Sequence, residues 1–245
     1  MMTVPLRKAD IFQGDLILVS ATHPLLYPIV GLTPLARQFP DILLHFRARR
    51  ALMGLLDVLS CTDEIVPVSA YRTQAEQVQI YRDCLLERGP DYTGQFVALP
   101  GCSEHQTGLA IDLGENIPGL DFIAPSFPDS GICRAFRQLA PQFGFVQRYT
   151  TGKEHLTCIA AEPWHFRYVG CPHSEIMSRE RLCLEEYLQW LRGFSQAHPL
   201  RENGAQIFFV PYTKDWVLQL PDDAEYTVSG NNQDGCVITL WEAVT

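Results

Sequence analysis

The stretch Ser103-Glu104-His105-Gln106-Thr107-Gly108-Leu109-Ala110-Ile111-Asp112 decides how the rest of the chain reads. Gly108, Ala110 and Asp112 alternate with Leu109, Ile111 and Leu113, the period of a β-strand. Asp112 then shares a face with two small residues, which leaves open space in front of its carboxylate. His105 precedes the strand on a loop, and Gly108 has the backbone freedom to let that loop fold back. A second stretch, Glu162-Pro163-Trp164-His165, adds another imidazole with a carboxylate beside it. Residues three apart on a flat strand face opposite ways, so Glu162 and His165 can serve one site only if the chain bends. Pro163 is a reason for it to bend.

Outward from these stretches the apolar periodicity predicts a helix from about Asp41 to Leu59 and a short strand over residues 65–71 ending at Arg72. Thr73-Gln74-Ala75-Glu76 is a capping box, which opens a helix expected to stop at Gly89-Pro90. It places Arg72 and Gln77 within about one turn of a fixed helix start. A helix is expected over residues 131–143, a hairpin with strands at 145–149 and 156–160, and a helix over 175–194. Residues 1–35 read as an irregular lead-in with one short strand at Leu16–Val19. After Ala197 the texture changes to short β-type runs at 206–212, 216–220, 225–229 and 236–241. The expected organisation is a main domain over residues 1–196 and a β-rich extension over 197–245 packed on it.

The chain has 245 residues, 47% of them hydrophobic, and a net charge of -9. No run of Lys and Arg stands out, so the basic footprint of a nucleic-acid partner is missing. No apolar run reaches the roughly 20 residues of a membrane helix, and the N-terminus has no signal-peptide core. A soluble, cytoplasmic chain is expected. Its 8 cysteines are scattered, without a CxxC pair, and read as reduced thiols.

His105, Asp112 and His165 supply two nitrogen donors and one oxygen donor, a set that suits Zn²⁺ better than Mg²⁺ or Ca²⁺. Three protein ligands plus a water make a catalytic zinc site, whereas a structural site closes the fourth position. Such a site needs a base for the attacking water, and Glu162 sits beside a ligand. It also needs a fixed positive charge, which Arg72 offers to an oxyanion or to a substrate carboxylate. The expectation is a zinc peptidase. Each group alone has a plain structural reading: His105 as a loop histidine, Asp112 as a hydrogen-bonded strand carboxylate, Trp164-His165 as a core pair, Arg72 as a bridge to a surface acid. Their order along the chain is what argues for a site. A Cys102–His105 nucleophile pair is too close in sequence to present both groups to one substrate, and His173 is a further candidate neighbour.

Three motifs carry a family resemblance: Val68-Ser69-Ala70-Tyr71-Arg72-Thr73, Ser103-x-His105-x-x-Gly108-x-Ala110-x-Asp112, and Glu162-x-Trp164-His165. In that order they resemble the D-alanyl-D-alanine metallopeptidases of vancomycin resistance, the VanX/VanY/VanXY group, over roughly residues 10–195. The pattern is most similar to the soluble VanXY type. The resemblance implies an α+β fold with a central antiparallel sheet and flanking helices, and one zinc per chain held by His105, Asp112 and His165. It implies Glu162 as base, Arg72 at the scissile carbonyl, and Ser103 and Gln77 binding the substrate's terminal carboxylate or backbone. The implied substrate is a small peptide ending in D-Ala-D-Ala. Two other readings stay open: an L,D-carboxypeptidase or other wall-peptide endopeptidase, and a non-catalytic, zinc-stabilised wall-peptide binding module. The turn around Gly152 is a candidate selectivity loop.

Overall fold

A computed structural model describes residues 1–214 and 216–241. It forms two compact units, Val19–Cys183 and a second assembled from Met1–Leu18 with Leu184–Thr245. These bounds differ from the expected split after residue 196. The first strand, β1 (Met2–Pro5), belongs to the second unit because its partner lies near the other end of the chain.

Within Val19–Cys183, β2 (Leu32–Ala36) and β3 (Phe39–His45) form an antiparallel hairpin, and α1 (Phe46–Val58) follows at once. Ile42 and Leu43, expected on the helix, are therefore strand residues. The helical period they share with α1 is accidental, and cross-strand pairing with β2 overrides it. Then come β4 (Ile65–Ser69) and α2 (Gln74–Phe96). The capping box is present: Thr73 N donates to Glu76 Oε2 at 2.7 Å, and Glu76 N donates to Thr73 Oγ1 at 3.2 Å. The expected stop at Gly89-Pro90 is a break between two helical segments, with Gly89 at φ 82° and the second segment running on to Phe96.

The central sheet is completed by β5 (Ala110–Glu115), β6 (Phe145–Tyr149) and β7 (Glu162–Tyr168), with α3 (Gly131–Leu139) between β5 and β6. Its order is β4-β5-β7-β6, with every neighbouring pair antiparallel. The expected return strand at 156–160 is not formed. Glu154–Thr157 make the short helix α4, and β6 pairs with β7 instead. Leu156 to Ala160 have β-type composition, but the pairing edge of β6 is taken by the more distant segment.

One face of this sheet is apolar. Ile111 and Phe166 are cross-strand partners, both fully buried, in a core with Leu52 and Leu55 of α1 and Phe136 of α3. Phe166, Phe136 and Phe127 meet edge to face at centroid distances of 4.9–5.7 Å, which anchors β7 on α3. The opposite face carries the polar residues taken up below. The unit ends in α5 (His173–Glu180), which stops at Arg181 in the left-handed conformation. The single helix expected over 175–194 is thus two, and the division into units falls between them.

The second unit contains α6 (Leu184–Leu191), β8 (Leu200–Glu202), β9 (Ala205–Pro211), β10 (Val217–Leu220), β11 (Glu225–Gly230) and β12 (Gly235–Trp241). The β-runs expected after Ala197 are all strands. They form a sheet of order β11-β12-β9-β8, while β10 pairs with β1. Val4, Leu6, Phe208, Leu220 and Ile238 share its core. Leu16–Val19 are buried but form no strand.

Candidate metal centre

Cross-strand register builds the site. Ser69 of β4 pairs with Asp112 of β5, and Asp112 pairs with His165 of β7, so the three lie in a row across the sheet. The pairing of β6 with β7 shifts between Gln147–Phe166 and Tyr149–Glu162, a bulge that places extra β7 residues between Glu162 and Phe166. That is the bend the sequence required. Glu162 and His165 consequently face the same side, with Glu162 Oε2 3.6 Å from His165 Nδ1.

His105 arrives from a different kind of structure, a 3₁₀ turn over Glu104–Thr107 closed by Gly108 at φ 65°. A side chain at Gly108 would meet Leu32 Cδ2 at 2.5 Å, so glycine is required by both conformation and space. Its carbonyl also accepts from His45 N at 2.8 Å. The turn lies over the polar face of the sheet and delivers His105 to Asp112.

His105, Asp112 and His165 each offer one ligand atom, all within 4.8 Å of one another, and all three residues are buried. His105 Nδ1 lies 2.6 Å from the Ala70 carbonyl, which can only accept, so this nitrogen carries the proton. Nε2 is left as a lone pair, 3.1 Å from Asp112 Oδ2. For His165 the roles are exchanged. Nδ1 lies 3.0 Å from Asp112 Oδ1, and Nε2 faces Glu104 Oε2 at 3.6 Å. An outer acceptor on the far nitrogen of each imidazole is the usual arrangement around a bound metal, because it fixes tautomer and ring orientation. The donor set and its orientation fit a metal ion.

Glu104 was not singled out in the sequence. It is fully buried and paired through Oε1 with Arg148 at 2.8 Å and Arg167 at 3.1 Å. Burial opposes its charge, yet the two arginines hold the carboxyl well below the ordinary range. Burial likewise opposes ionisation of Asp112, and the two histidines keep it ionised well below its usual value. Burial and the nearby Arg72 charge push His105 down to about 4. Burial acts the same way on His165, but contacts with Asp112 and Glu104 prevail and raise it to about 9. Burial drives the Glu162 carboxyl up to about 8, with Asp112 adding and His165 and Arg72 opposing.

These residues floor a cleft of about 280 Å³. Arg72 lines it, fixed by hydrogen bonds from Nε to Ser69 Oγ at 2.8 Å and from Nη2 to Asp112 Oδ2 at 2.9 Å. Ser103 lines it as well, and Ile80, Phe122 and Trp164 contribute apolar walls. Gln77 does not line it. Its fully buried amide donates to the Ala98 carbonyl at 2.8 Å and so braces the wall. Thr151–Glu154 and His173 are also outside the lining. Burial raises the Cys102 thiol above its ordinary value, the opposite of an activated nucleophile, and all eight cysteines are free.

The VanY D-alanyl-D-alanine carboxypeptidase family model matches residues 42–171. The bifunctional D-Ala-D-Ala dipeptidase and D-Ala-D-Ala carboxypeptidase VanXYC of Enterococcus gallinarum is 40% identical over 184 residues, covering 73% of this chain and 96% of that protein. The crystal structure of the vancomycin-resistance D,D-dipeptidase VanXYg with a D-Ala-D-Ala phosphinate analog aligns with a TM-score of 0.95 at 43% identity, over 98% of this chain and 99% of that one. A mutant of the D,D-pentapeptidase VanY from a VanB-type resistance cassette, in complex with Zn(II), aligns with a TM-score of 0.58 at 29% identity, over 71% and 98%.

Proposed function

The chain belongs to the VanY family of D-alanyl-D-alanine carboxypeptidases, and from that premise we propose a zinc-dependent D,D-peptidase that splits D-Ala-D-Ala and removes the C-terminal D-Ala of longer peptides. The observation that carries it is the convergence of His105 Nε2, Asp112 and His165 Nδ1 beside Glu162 on the floor of one cleft. One zinc ion per chain is held by these three side chains. When bound, zinc supplies Lewis acidity to a scissile carbonyl and to a water.

The protein's own groups do the rest. Glu162 takes the proton of the attacking water and returns it to the departing amine, and its buried setting favours that exchange near neutral pH. Arg72, held by Ser69 and Asp112, presents fixed positive charge to the oxygen on which negative charge develops. Ser103 binds the substrate's terminal carboxylate or backbone, and Gln77 keeps the Ala98 wall in place for it. Among the described residues no helix is long and apolar enough to cross a membrane. A cytoplasmic location is part of the proposal, tested by fractionating the source cells.

The deciding experiment measures metal content and turnover of D-Ala-D-Ala, a pentapeptide ending in D-Ala-D-Ala and an L,D-linked tetrapeptide, for wild type and Glu162→Ala. About one zinc in both proteins is expected, with D,D-hydrolysis reduced about 10²–10⁴-fold in the variant. Turnover of the L,D substrate alone moves the assignment to an L,D-carboxypeptidase. Tight peptide binding without hydrolysis in wild type leaves a binding module.

A further inference from the structure

The turn around Gly152, marked in the sequence as a candidate selectivity loop, faces a different hollow from the metal cleft. Thr150, Thr151 and Lys153 line a groove of about 450 Å³ that shares no residue with the cleft. Its other wall is the end of α5, with Met177, Ser178, Arg181 and Leu182. Between the walls lie Phe145, Val146, Gln147 and Arg148, four consecutive residues of β6. Successive strand residues point to opposite faces of a sheet, so a hollow lined by four in a row runs along the strand's edge. β6 is an edge strand of its sheet, paired with β7 alone.

The register shows what that edge offers. Tyr168 N donates to the Leu109 carbonyl at 2.8 Å, so Tyr168 turns its backbone groups toward β5. Backbone groups alternate in direction along an antiparallel strand, so those of Phe166 face β5 as well. Gln147, its partner in β6, therefore points its N–H and C=O away from β7 and into the groove. Among the described residues no backbone or side-chain group takes them up. Phe145, the next outward residue, is fully buried, so the edge presents one pair of backbone groups and not the ladder an extended peptide needs. A compact ligand fits better, and the volume is that of a small-molecule site.

The charges select its sign. Arg137, Arg148, Lys153 and Arg181 line the groove, and no carboxylate does. Two of these cations are already matched from outside it, Arg148 by Glu104 at 2.8 Å and Arg137 by Asp129 at 3.2 Å. Arg181 is exposed and has no carboxylate partner among the described residues. The hydroxyls of Thr150, Thr151 and Ser178 add donors, while Val146, Met177 and Leu182 supply an apolar floor.

We infer that this groove is a second ligand site, separate from the metal cleft, for a small organic anion: a carboxylate on an aliphatic or aromatic body. The carboxylate lies at Arg181, Lys153 and the Gln147 N–H, and the body covers the floor. The site does not depend on the peptidase reading.

The test is isothermal titration of the zinc-loaded protein with octanoate, octan-1-ol and octylammonium, for wild type and Arg181→Glu. Wild type is expected to bind octanoate about tenfold more tightly than either of the others, with the preference shrinking as salt rises. In Arg181→Glu the ratio of octanoate to octylammonium affinity is expected to fall at least about tenfold, a ratio independent of the fraction of folded protein. Equal affinity of wild type for octanoate and octan-1-ol overturns the anion site and leaves a merely apolar surface. A ratio unchanged by Arg181→Glu places the carboxylate elsewhere, the zinc included, and overturns it too, as does no binding of octanoate by wild type.

Discussion

His105 and His165 meet the same carboxylate from opposite kinds of structure. His105 rides on a 3₁₀ turn whose shape depends on one left-handed glycine, and its outer nitrogen rests on a neutral backbone carbonyl. His165 sits in a bulged strand, locked between β5 and β6, and its outer nitrogen faces a carboxylate that two buried arginines share. The electrostatic result is divergent: about 4 for His105 against about 9 for His165. A site of two chemically equal candidate ligands is therefore assembled from one neutral and one proton-hungry imidazole. The backbone supplies position in one case and the charge network supplies it in the other.

The largest expected effect comes from breaking the charged side. Glu104→Ala leaves Arg148 and Arg167 buried without their carboxylate, so urea denaturation should show a loss of about 3–5 kcal/mol. Glu104→Gln, which keeps the volume, should weaken metal binding about 10–100-fold by isothermal titration, through His165 orientation. Breaking the backbone side costs less. Gly108→Ala forces a Cβ into the left-handed region and against Leu32, a loss of about 2 kcal/mol in the same denaturation assay, together with weaker metal binding.

The comparison sharpens in a pH series. In the metal-free chain His165 binds its proton more tightly folded than unfolded, so its contribution to stability is complete below about 6.5 and is lost as pH rises through about 9. His105 has the opposite sign: its contribution is present above about 6.5 and is lost as pH falls through about 4. Metal must displace the His165 proton and none from His105 near neutrality. Affinity should climb about tenfold per pH unit from about 7 to 9, and a flat profile would contradict the assignment. The smallest effect belongs to Thr73→Ala, about 1 kcal/mol, from the lost helix cap. Because Arg72 N donates to the His105 carbonyl at 3.3 Å, this change should disturb the NMR signals of His105 more than those of His165.

What the sequence discloses follows the range of the interactions involved. The clustering of the three candidate ligands and the capping box were legible, because strand alternation around Asp112 and the Thr73–Glu76 spacing are local signals. The bend at Glu162–His165 could be required from the period alone, though only the pairing with Tyr149 shows it to be a bulge. Ile42 and Leu43 misled because a hairpin joins α1 without a break, and two apolar residues fit both periods. Leu156–Ala160 misled for the reverse reason: suitable composition does not form a strand when another segment holds the edge. Glu104 had no signal. A glutamate in a loop gives no hint of arginines at positions 148 and 167, and only the fold brings them together. Gln77 stood at the right distance from the helix start, but its side chain is spent behind the cleft wall on the Ala98 carbonyl and does not line the cleft.

The pairing of β1 with β10 also sets an order in time. On a ribosome adding about 5–20 residues per second, Met2–Pro5 wait roughly ten to forty seconds for Val217–Leu220 to be made. Every strand of the sheet that carries Asp112 and His165, and the turn that carries His105, is complete before then. The strands that carry Asp112 and His165 are thus free to pair while the chain is still being translated, and β1 meets its partner only after they are complete.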